Sequence, residues 1–398
     1  MAGDALPLLK TTVPGPKSRA LALQLHRYES RNVTYVSRHW PIFWQRAAGA
    51  NVWDVDGNRY VDLTAAFGVA NAGHTNPQVV SALRQQANQL LHAMGDVHPN
   101  ELKLRLARVL VKLTFRRNAR VVFGNSGAEA VEIALKTAAI HTKCPGVIAF
   151  TGAYHGLTYG ALDATHRQHF RRPFTRQLGH FVDHFPFGEI PKYRNKYGAV
   201  LVEPIQGRAG IIVPPADFLP DLRRFCDRHG LVLIFDEIYT GFCRTGRWFA
   251  YEHWNVLPDL ICLGKGLTGG FPLAACVGRA AVMDSWPAST GEAIHTSTFL
   301  GHPLGCAAAL AHIAEMKRLN LADRALALGV LIAARMPCRG RGLMLGLPVR
   351  NASQLCEQLL QHGILALPEG DALGLTPPLT ITDRQLNHAL KIISQLVG

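Results

Sequence analysis

The chain contains no apolar run long enough to cross a bilayer. Its longest, such as Leu231–Phe235 and Ala307–Leu310, fall far short of the roughly 18 residues a spanning helix needs. Cysteine pairs are also missing. Cys144, Cys226, Cys243, Cys262, Cys276, Cys306, Cys338 and Cys356 include no CxxC, which excludes a zinc ribbon or disulfide framework and reads as reduced, packed thiols. Met1–Lys17 lacks the apolar core of a signal peptide, so a cytoplasmic location is expected. No low-complexity tract or internal repeat is visible, and no metal is expected. Acidic residues are scarce, 28 Asp+Glu against 42 Lys+Arg, for a net charge of +14. The arginines form only one dense cluster, Arg167–Arg176, with no RNA-binding signature. The excess charge therefore reads as a field for anionic cofactors and substrates, and neither a nucleic-acid nor a membrane partner is expected.

What remains is a folded globular chain of 398 residues, 48% hydrophobic and 18% charged, with room for one large or two ordinary domains. Residues 1–50 read as an arm and part of a small domain, with a short helix over Arg19–Tyr28. Asn51–Leu63 reads as a hairpin, because alternating apolar residues flank Asp56-Gly57. Asp54, Asp56 and Asn58 mimic the opening of a calcium loop. Arg59 stands where that loop needs glycine, and no closing glutamate follows. Helical spacing marks Pro77–Leu91 and Glu101–Leu113.

From Arg120 to Leu263 strand and helix patterns alternate, the signature of a mostly parallel sheet covered by helices. The expected strands are Arg120–Phe123, Gly146–Phe150, Ala199–Val202, Leu231–Phe235 and Leu260–Cys262, with helices over Ala128–Thr142 and Pro220–Arg228. Helices are expected again at Leu304–Leu319, Ser353–His362 and Asp383–Leu396. The division expected is a large domain over 51–300 and a C-terminal small domain over 301–398.

Three segments carry chemistry. Val121–Ala130 (VVFGNSGAEA) runs from a strand through a small-residue turn into a helix, with Ser126 and Glu129 in capping-box spacing. A helix start preceded by Gly127 is a ready anion site. In Leu231–Gly246 the acid Asp236 stands at the carboxyl end of an apolar strand, the edge where open α/β sheets bind ligands. Lys265 follows the next apolar strand in a glycine-rich turn, a setting that suits Schiff-base chemistry. An anchored phosphate, a protonated ring nitrogen and an imine-forming amine are what pyridoxal phosphate requires.

With those segments in view, the chain resembles the class III aminotransferases of the fold type I pyridoxal-phosphate enzymes, the 4-aminobutyrate, acetylornithine and ω-aminotransferase family. The likeness runs from Val52 to Thr382 through VWDVDGNRYVD (Val52–Asp62), NSGAEA (Asn125–Ala130), YHGLT (Tyr154–Thr158), EPIQG (Glu203–Gly207), DEIYTGFCRTG (Asp236–Gly246), LGKG (Leu263–Gly266), STF (Ser297–Phe299) and PPLTIT (Pro377–Thr382). It implies an α/β fold with a mostly parallel seven-stranded sheet and a small α+β domain built from both chain ends. It also implies pyridoxal 5′-phosphate, a homodimer, and ping-pong transfer from a small amine or ω-amino acid donor to a keto-acid or aldehyde acceptor. An aminomutase, racemase or decarboxylating transaminase on the same fold is the alternative.

Position by position, the resemblance makes Lys265 the cofactor-binding and proton-shuttling lysine and Asp236 the partner of the ring nitrogen. Ser126, Gly127 and Ala128 become the phosphate cup. Tyr154 and Ile238 take the two ring faces, with His155 in support, and Glu203 lies close to lysine and cofactor. Thr298 reaches the phosphate from the neighbouring subunit. Val69, Leu157 and Arg208 fall around the substrate. Several positions depart from the family. Leu157 stands where the 4-aminobutyrate and acetylornithine branches keep an arginine for a substrate carboxylate, and Gly374 where a second arginine is usual. Arg208 replaces the glutamate that pairs with that second arginine. Tyr239 replaces a glutamine that contacts the cofactor's 3′-hydroxyl. Recognition of a carboxylate by Arg208 is therefore expected; the identity of donor and acceptor is not readable.

Overall fold

The apolar runs of the middle of the chain are buried along their whole length, as strands covered on both faces must be. The structure, a computed structural model, describes residues 3–397; Met1, Ala2 and Gly398, outermost in the expected terminal segments, lie outside the described residues. In chain order the strands are β1 Trp44–Ala48, β2 Asn51–Asp54, β3 Arg59–Asp62, β4 Ala119–Gly124, β5 Gly146–Phe150, β6 Val182–Phe185, β7 Tyr197–Val202, β8 Val232–Asp236, β9 Leu260–Leu263, β10 Ala274–Arg279, β11 Arg339–Arg341, β12 Met344–Pro348, β13 Ile364–Leu365, β14 Leu367–Glu369 and β15 Ala372–Leu375. Seven of them form one sheet in the order β4-β10-β9-β8-β7-β5-β6. Only β10 runs against its neighbours β9 and β4. The carboxyl ends of β4, β5, β7, β8 and β9 therefore share one edge.

The other strands build two four-stranded sheets, β1-β2-β3-β13 and β11-β12-β15-β14. The hairpin forms around Asp56-Gly57, with Val52 opposite Tyr60. Its carboxylates are consumed internally: Asp54 accepts from the Asn58 amide and the Tyr60 hydroxyl, and Asp56 accepts from Lys17 and Ser18 at the start of the helix Pro16–Tyr28. Residues 51–62 do not pair with the large sheet, where the division at 50/51 would put them. They pair with β1 and with β13 near the other chain end, because Val52 and Tyr60 bury their side chains against Leu360 and Leu365.

The expected helices form with slightly shifted ends, as Pro16–Tyr28, Pro77–Ala87, Glu101–Thr114, Gly127–Thr142, Phe218–His229, Pro303–Arg318, Ala352–Gln361 and Asp383–Val397. The helix Leu321–Ala333 and strands β6 and β10 had no counterpart in the sequence reading. Among the described residues no helix is long and apolar enough to cross a membrane.

Arg244, fully buried, ties the C-terminal segment to the sheet edge. Its guanidinium donates to the carbonyls of Leu343 (3.0 Å) and Pro377 (2.6 Å) and to Asn71 Oδ1 (2.6 Å), and Asn71 in turn donates to the Phe242 carbonyl. Hydrogen bonds from a charged donor to carbonyls are among the stronger ones, so this clamp fixes the small sheets against the ligand edge of the large one.

Candidate active site

At the shared carboxyl edge the strands stop around a cavity of about 320 Å³. Asp236 is the last residue of β8 and only 4% exposed. Its Oδ2 lies 2.8 Å from His155 Nδ1, and its Oδ1 accepts the Ile238 N–H at 3.1 Å. His155 donates its backbone N–H to Thr165 Oγ1 at 2.9 Å, while its Nε2 is buried without a partner among the described residues. The carboxylate is thus held from both sides with its orientation fixed.

Glu203 follows β7, accepting the N–H groups of Tyr154 (3.1 Å) and Gly207 (3.2 Å). Burial pushes its carboxyl up to about 7, with Asp236 adding to the shift and His155 opposing it. Lys265 comes two residues after β9 with φ +41°, in the left-handed region that a side-chain-bearing residue enters at a cost of about 1 kcal/mol or more. Its Nζ lies 4.2 Å from the centroid of the Tyr239 ring. Burial pushes this ammonium below the usual lysine range, against the carboxylates of Asp236, Glu369 and Glu203, which pull it back up.

The lysine turn is braced from behind by His312. Nε2 of that buried imidazole accepts the Ala72 N–H (3.1 Å), so the proton sits on Nδ1, which donates to the Gly266 carbonyl (3.0 Å).

The end of the cavity expected to take the phosphate is built from backbone. Ser126 caps the helix Gly127–Thr142, its Oγ accepting the Glu129 N–H at 3.2 Å. Glu129 reaches back one residue further than a standard capping box, accepting the Asn125 N–H at 2.9 Å. That leaves the N–H groups of Gly127 and Ala128 without partners among the described residues, on the wall of the cavity. A Cβ on Gly127 would come within 2.9 Å of Ile238 Cδ1, and one on Gly156 within 2.7 Å of Ala128 Cβ, so the cradle has been pared to backbone. Open amides, a fixed acid and a displaced-pKa amine around one cavity fit pyridoxal phosphate.

Of the residues expected from the sequence, Gly127, Ala128, Tyr154, His155, Leu157, Glu203, Arg208, Asp236, Ile238, Tyr239 and Lys265 line this cavity. Ser126, Val69 and Thr298 do not. Ser126 spends its hydroxyl on the helix cap, Val69 is half-buried outside the cavity, and Thr298 is exposed. Tyr239 turns its ring face to the cavity; its hydroxyl meets Thr376 Oγ1 (3.2 Å) and Glu369 Oε1 (3.4 Å). The ring is flanked by Gly68 at Cε2 and Gly207 at Cδ1, where a Cβ would approach it to 2.6 Å.

Sequence reasoning missed Glu369, Thr376 and His312. Glu369 lies on a three-residue strand with no motif around it. His312 lies mid-helix, where only helical periodicity is visible.

The family model of the class-III aminotransferases matches residues 33–397. An acetylornithine aminotransferase of Methanopyrus kandleri is 40% identical, covering 88% of this chain and 92% of its own. A putrescine aminotransferase of Pectobacterium atrosepticum is 38% identical, covering 91% of this chain and 83% of its own. The crystal structure of an ornithine aminotransferase from Toxoplasma gondii superposes with a TM-score of 0.87 at 31% identity, covering 95% of this chain and 94% of that one.

Proposed function

The chain belongs to the class III aminotransferases, pyridoxal-phosphate enzymes that move an amino group from an amine or ω-amino acid to a carbonyl acceptor, and from that premise we propose how its own residues divide the work. The observation that carries the proposal is the convergence of Lys265, the Asp236–His155 pair, Glu203 and the open start of helix Gly127–Thr142 on one cavity. Bound pyridoxal phosphate supplies the carbonyl that accepts the amino group and a ring that disperses the electrons freed at the donor carbon.

Lys265 is the residue that would bond the cofactor and then move the proton at the donor carbon, and burial, by lowering its pKa, favours the neutral amine this needs. Asp236 keeps a proton on the ring nitrogen, and His155 keeps Asp236 in place. The amides of Gly127 and Ala128 hold the phosphate dianion at the helix start. Tyr154 and Ile238 bound the ring faces.

Arg208 takes a substrate carboxylate. Its guanidinium lies 4.7 Å over the Tyr154 ring on the cavity wall, and no carboxylate stands within 4.0 Å of it among the described residues. The working form is a homodimer in which Thr298 of one copy completes the other's phosphate site. Exposed apolar residues of the arm and site rim support this: Leu23, Tyr28, Tyr35, Phe67 and Phe299 are 53–88% exposed in the single chain. Solution mass measurement tests the dimer, and a monomeric, fully active enzyme would refute it.

The reaction is tested by mixing holoenzyme with one donor and no acceptor. One equivalent of carbonyl product per site is expected, with later amination of an added keto acid. Isomerised donor without that carbonyl equivalent would assign a racemase or mutase instead.

A further inference from the structure

A second cavity, of about 690 Å³, opens between the end of the helix Glu101–Thr114 and the 3₁₀ helix Ala250–His253, and it shares no lining residue with the Lys265 site. Its size is that of a small-molecule pocket. Three cations line it, Lys112, Arg116 and Arg247, all exposed, and their side chains make no hydrogen bond or ion pair among the described residues. Like charges gathered around one hollow repel unless an anion compensates them.

The other titratable groups of the wall do not supply that anion. Glu252 spends Oε1 on the Phe249 N–H (3.1 Å), and burial raises its carboxyl above the usual range. His253 donates from Nε2 to the Thr245 carbonyl (3.0 Å); burial, with Arg341 and Arg247 adding to it, pushes its ring down to about 4, so it is neutral near pH 7.

The wall is also tied in place. The Tyr251 hydroxyl donates to the Thr114 carbonyl (3.0 Å), and the N–H groups of Ala250 and Tyr251 donate to the buried Glu237 carboxylate at 3.0 and 2.8 Å. Arg116 stands at φ +66°, a left-handed conformation disfavoured for a residue with a side chain and found at ligand clamps. Phe115 and Leu257 give the cavity an apolar partition, shared with an adjoining hollow of about 500 Å³. That hollow adds Arg117, which has no ion pair, and Arg279, held only at 3.5 Å by Asp259.

We propose that this cavity binds a small organic polyphosphate of the nucleoside-phosphate class, its phosphates on Arg116, Arg247 and Lys112 and its organic body against the Phe115–Leu257 partition. Two arginine forks and a lysine match a divided, multiply charged anion, whereas a single carboxylate would leave most of the positive charge uncompensated.

The test is calorimetric titration of cofactor-saturated holoenzyme with ATP, inorganic triphosphate and adenosine at physiological salt; saturation keeps added phosphates off the Gly127 and Ala128 amides. A single ATP per chain is expected to bind, about tenfold tighter than triphosphate, with adenosine unbound. Arg116→Gly, which removes the guanidinium and eases the left-handed turn, and Arg247→Gln should each weaken ATP about ten- to a hundredfold while keeping the wild-type rate of amino transfer. Arg384→Ala, on the C-terminal helix Asp383–Val397, should leave ATP binding unchanged.

Failure of ATP to bind, or unchanged affinity in both cavity variants, overturns the site. Equal losses in all three variants overturn it as well, since diffuse attraction to a chain of charge +14 would produce them. Equal affinity for ATP and triphosphate overturns the assignment to a nucleoside phosphate.

Discussion

The two walls of the cavity are built differently. On the cofactor side the key groups lie at or just beyond the carboxyl ends of large-sheet strands, and they hold one another: Asp236 by His155, Glu203 by two backbone N–H groups. On the side proposed for substrate, Leu157 and Arg208 come from the loops after β5 and β7, with Glu369 behind Tyr239 on a short strand of a small sheet, and they are loosely partnered. Leu157 is half-exposed, Arg208 has no acid within ion-pair distance among the described residues, and Glu369 has one long contact. Interlocked groups at strand ends fix chemistry that tolerates no displacement, whereas a loosely paired wall keeps its charges free for a ligand. On the proposed roles, the difference divides reaction type from substrate choice.

The sharpest way to break this comparison is Lys265→Ala. It should abolish turnover by on the order of a thousandfold or more and remove the covalent link to cofactor, read as loss of the mass increment after borohydride reduction. Near wild-type transamination would sink the assignment. Asp236→Asn comes next. An amide cannot keep a proton on the ring nitrogen, so kcat should fall at least about a hundredfold in a cofactor-saturated sample for every donor alike. A loss confined to some donors would erase the distinction between the walls.

Arg208→Ala tests the other wall. KM for donors with a distant carboxylate should rise roughly ten- to a hundredfold relative to neutral amines, the size of a lost charge-assisted hydrogen bond of about 1.5–3 kcal/mol. Equal effects on acidic and neutral donors would move Arg208 out of the substrate site.

The same division governs what the sequence reveals. Asp236 and Lys265 are legible because each ends or follows a short apolar run, and that run is itself the signal of a buried parallel strand. The hairpin at Asp56-Gly57 is legible for a similar local reason. Strand β10 is not, because AACVGR is rich in small residues and its pairing with β4 on one side is settled by a neighbour distant in sequence. Leu157, Arg208 and Gly374 stand out as departures from the family, but the glutamate that Gly374 makes room for does not. That contact is made by the turn between β14 and β15, which brings Glu369 back over the strand. Tyr239 shows the limit in another way: its hydroxyl is turned toward Thr376 and Glu369, with the ring held between two glycines that no local pattern announces.

The smallest effect on turnover, and the finest test of how the cofactor wall is held, comes from His312, which braces the lysine turn without touching the cavity. Burial pushes its imidazole down to about 4, and its neutral form is fixed by the Ala72 and Gly266 hydrogen bonds. A histidine near 6.5 in the unfolded chain and near 4 in the folded one binds more protons unfolded across that window. Its contribution to stability is therefore complete above pH 6.5 and is lost as pH falls toward 4. Glu203 and Glu237, both pushed up to about 7 by burial, work in the opposite sense, since the folded chain then holds the extra protons between their usual range and 7. Total stability against pH would mix these terms, but a difference between two proteins that share both glutamates cancels them. His312→Asn should cost about 1–2 kcal/mol at pH 7.5, and the gap from wild type should narrow as denaturant unfolding of the holoenzyme is repeated down to pH 4.5. A gap that stays constant over that range would mean that His312 is not held neutral, and the lysine turn would then owe its left-handed geometry to packing alone.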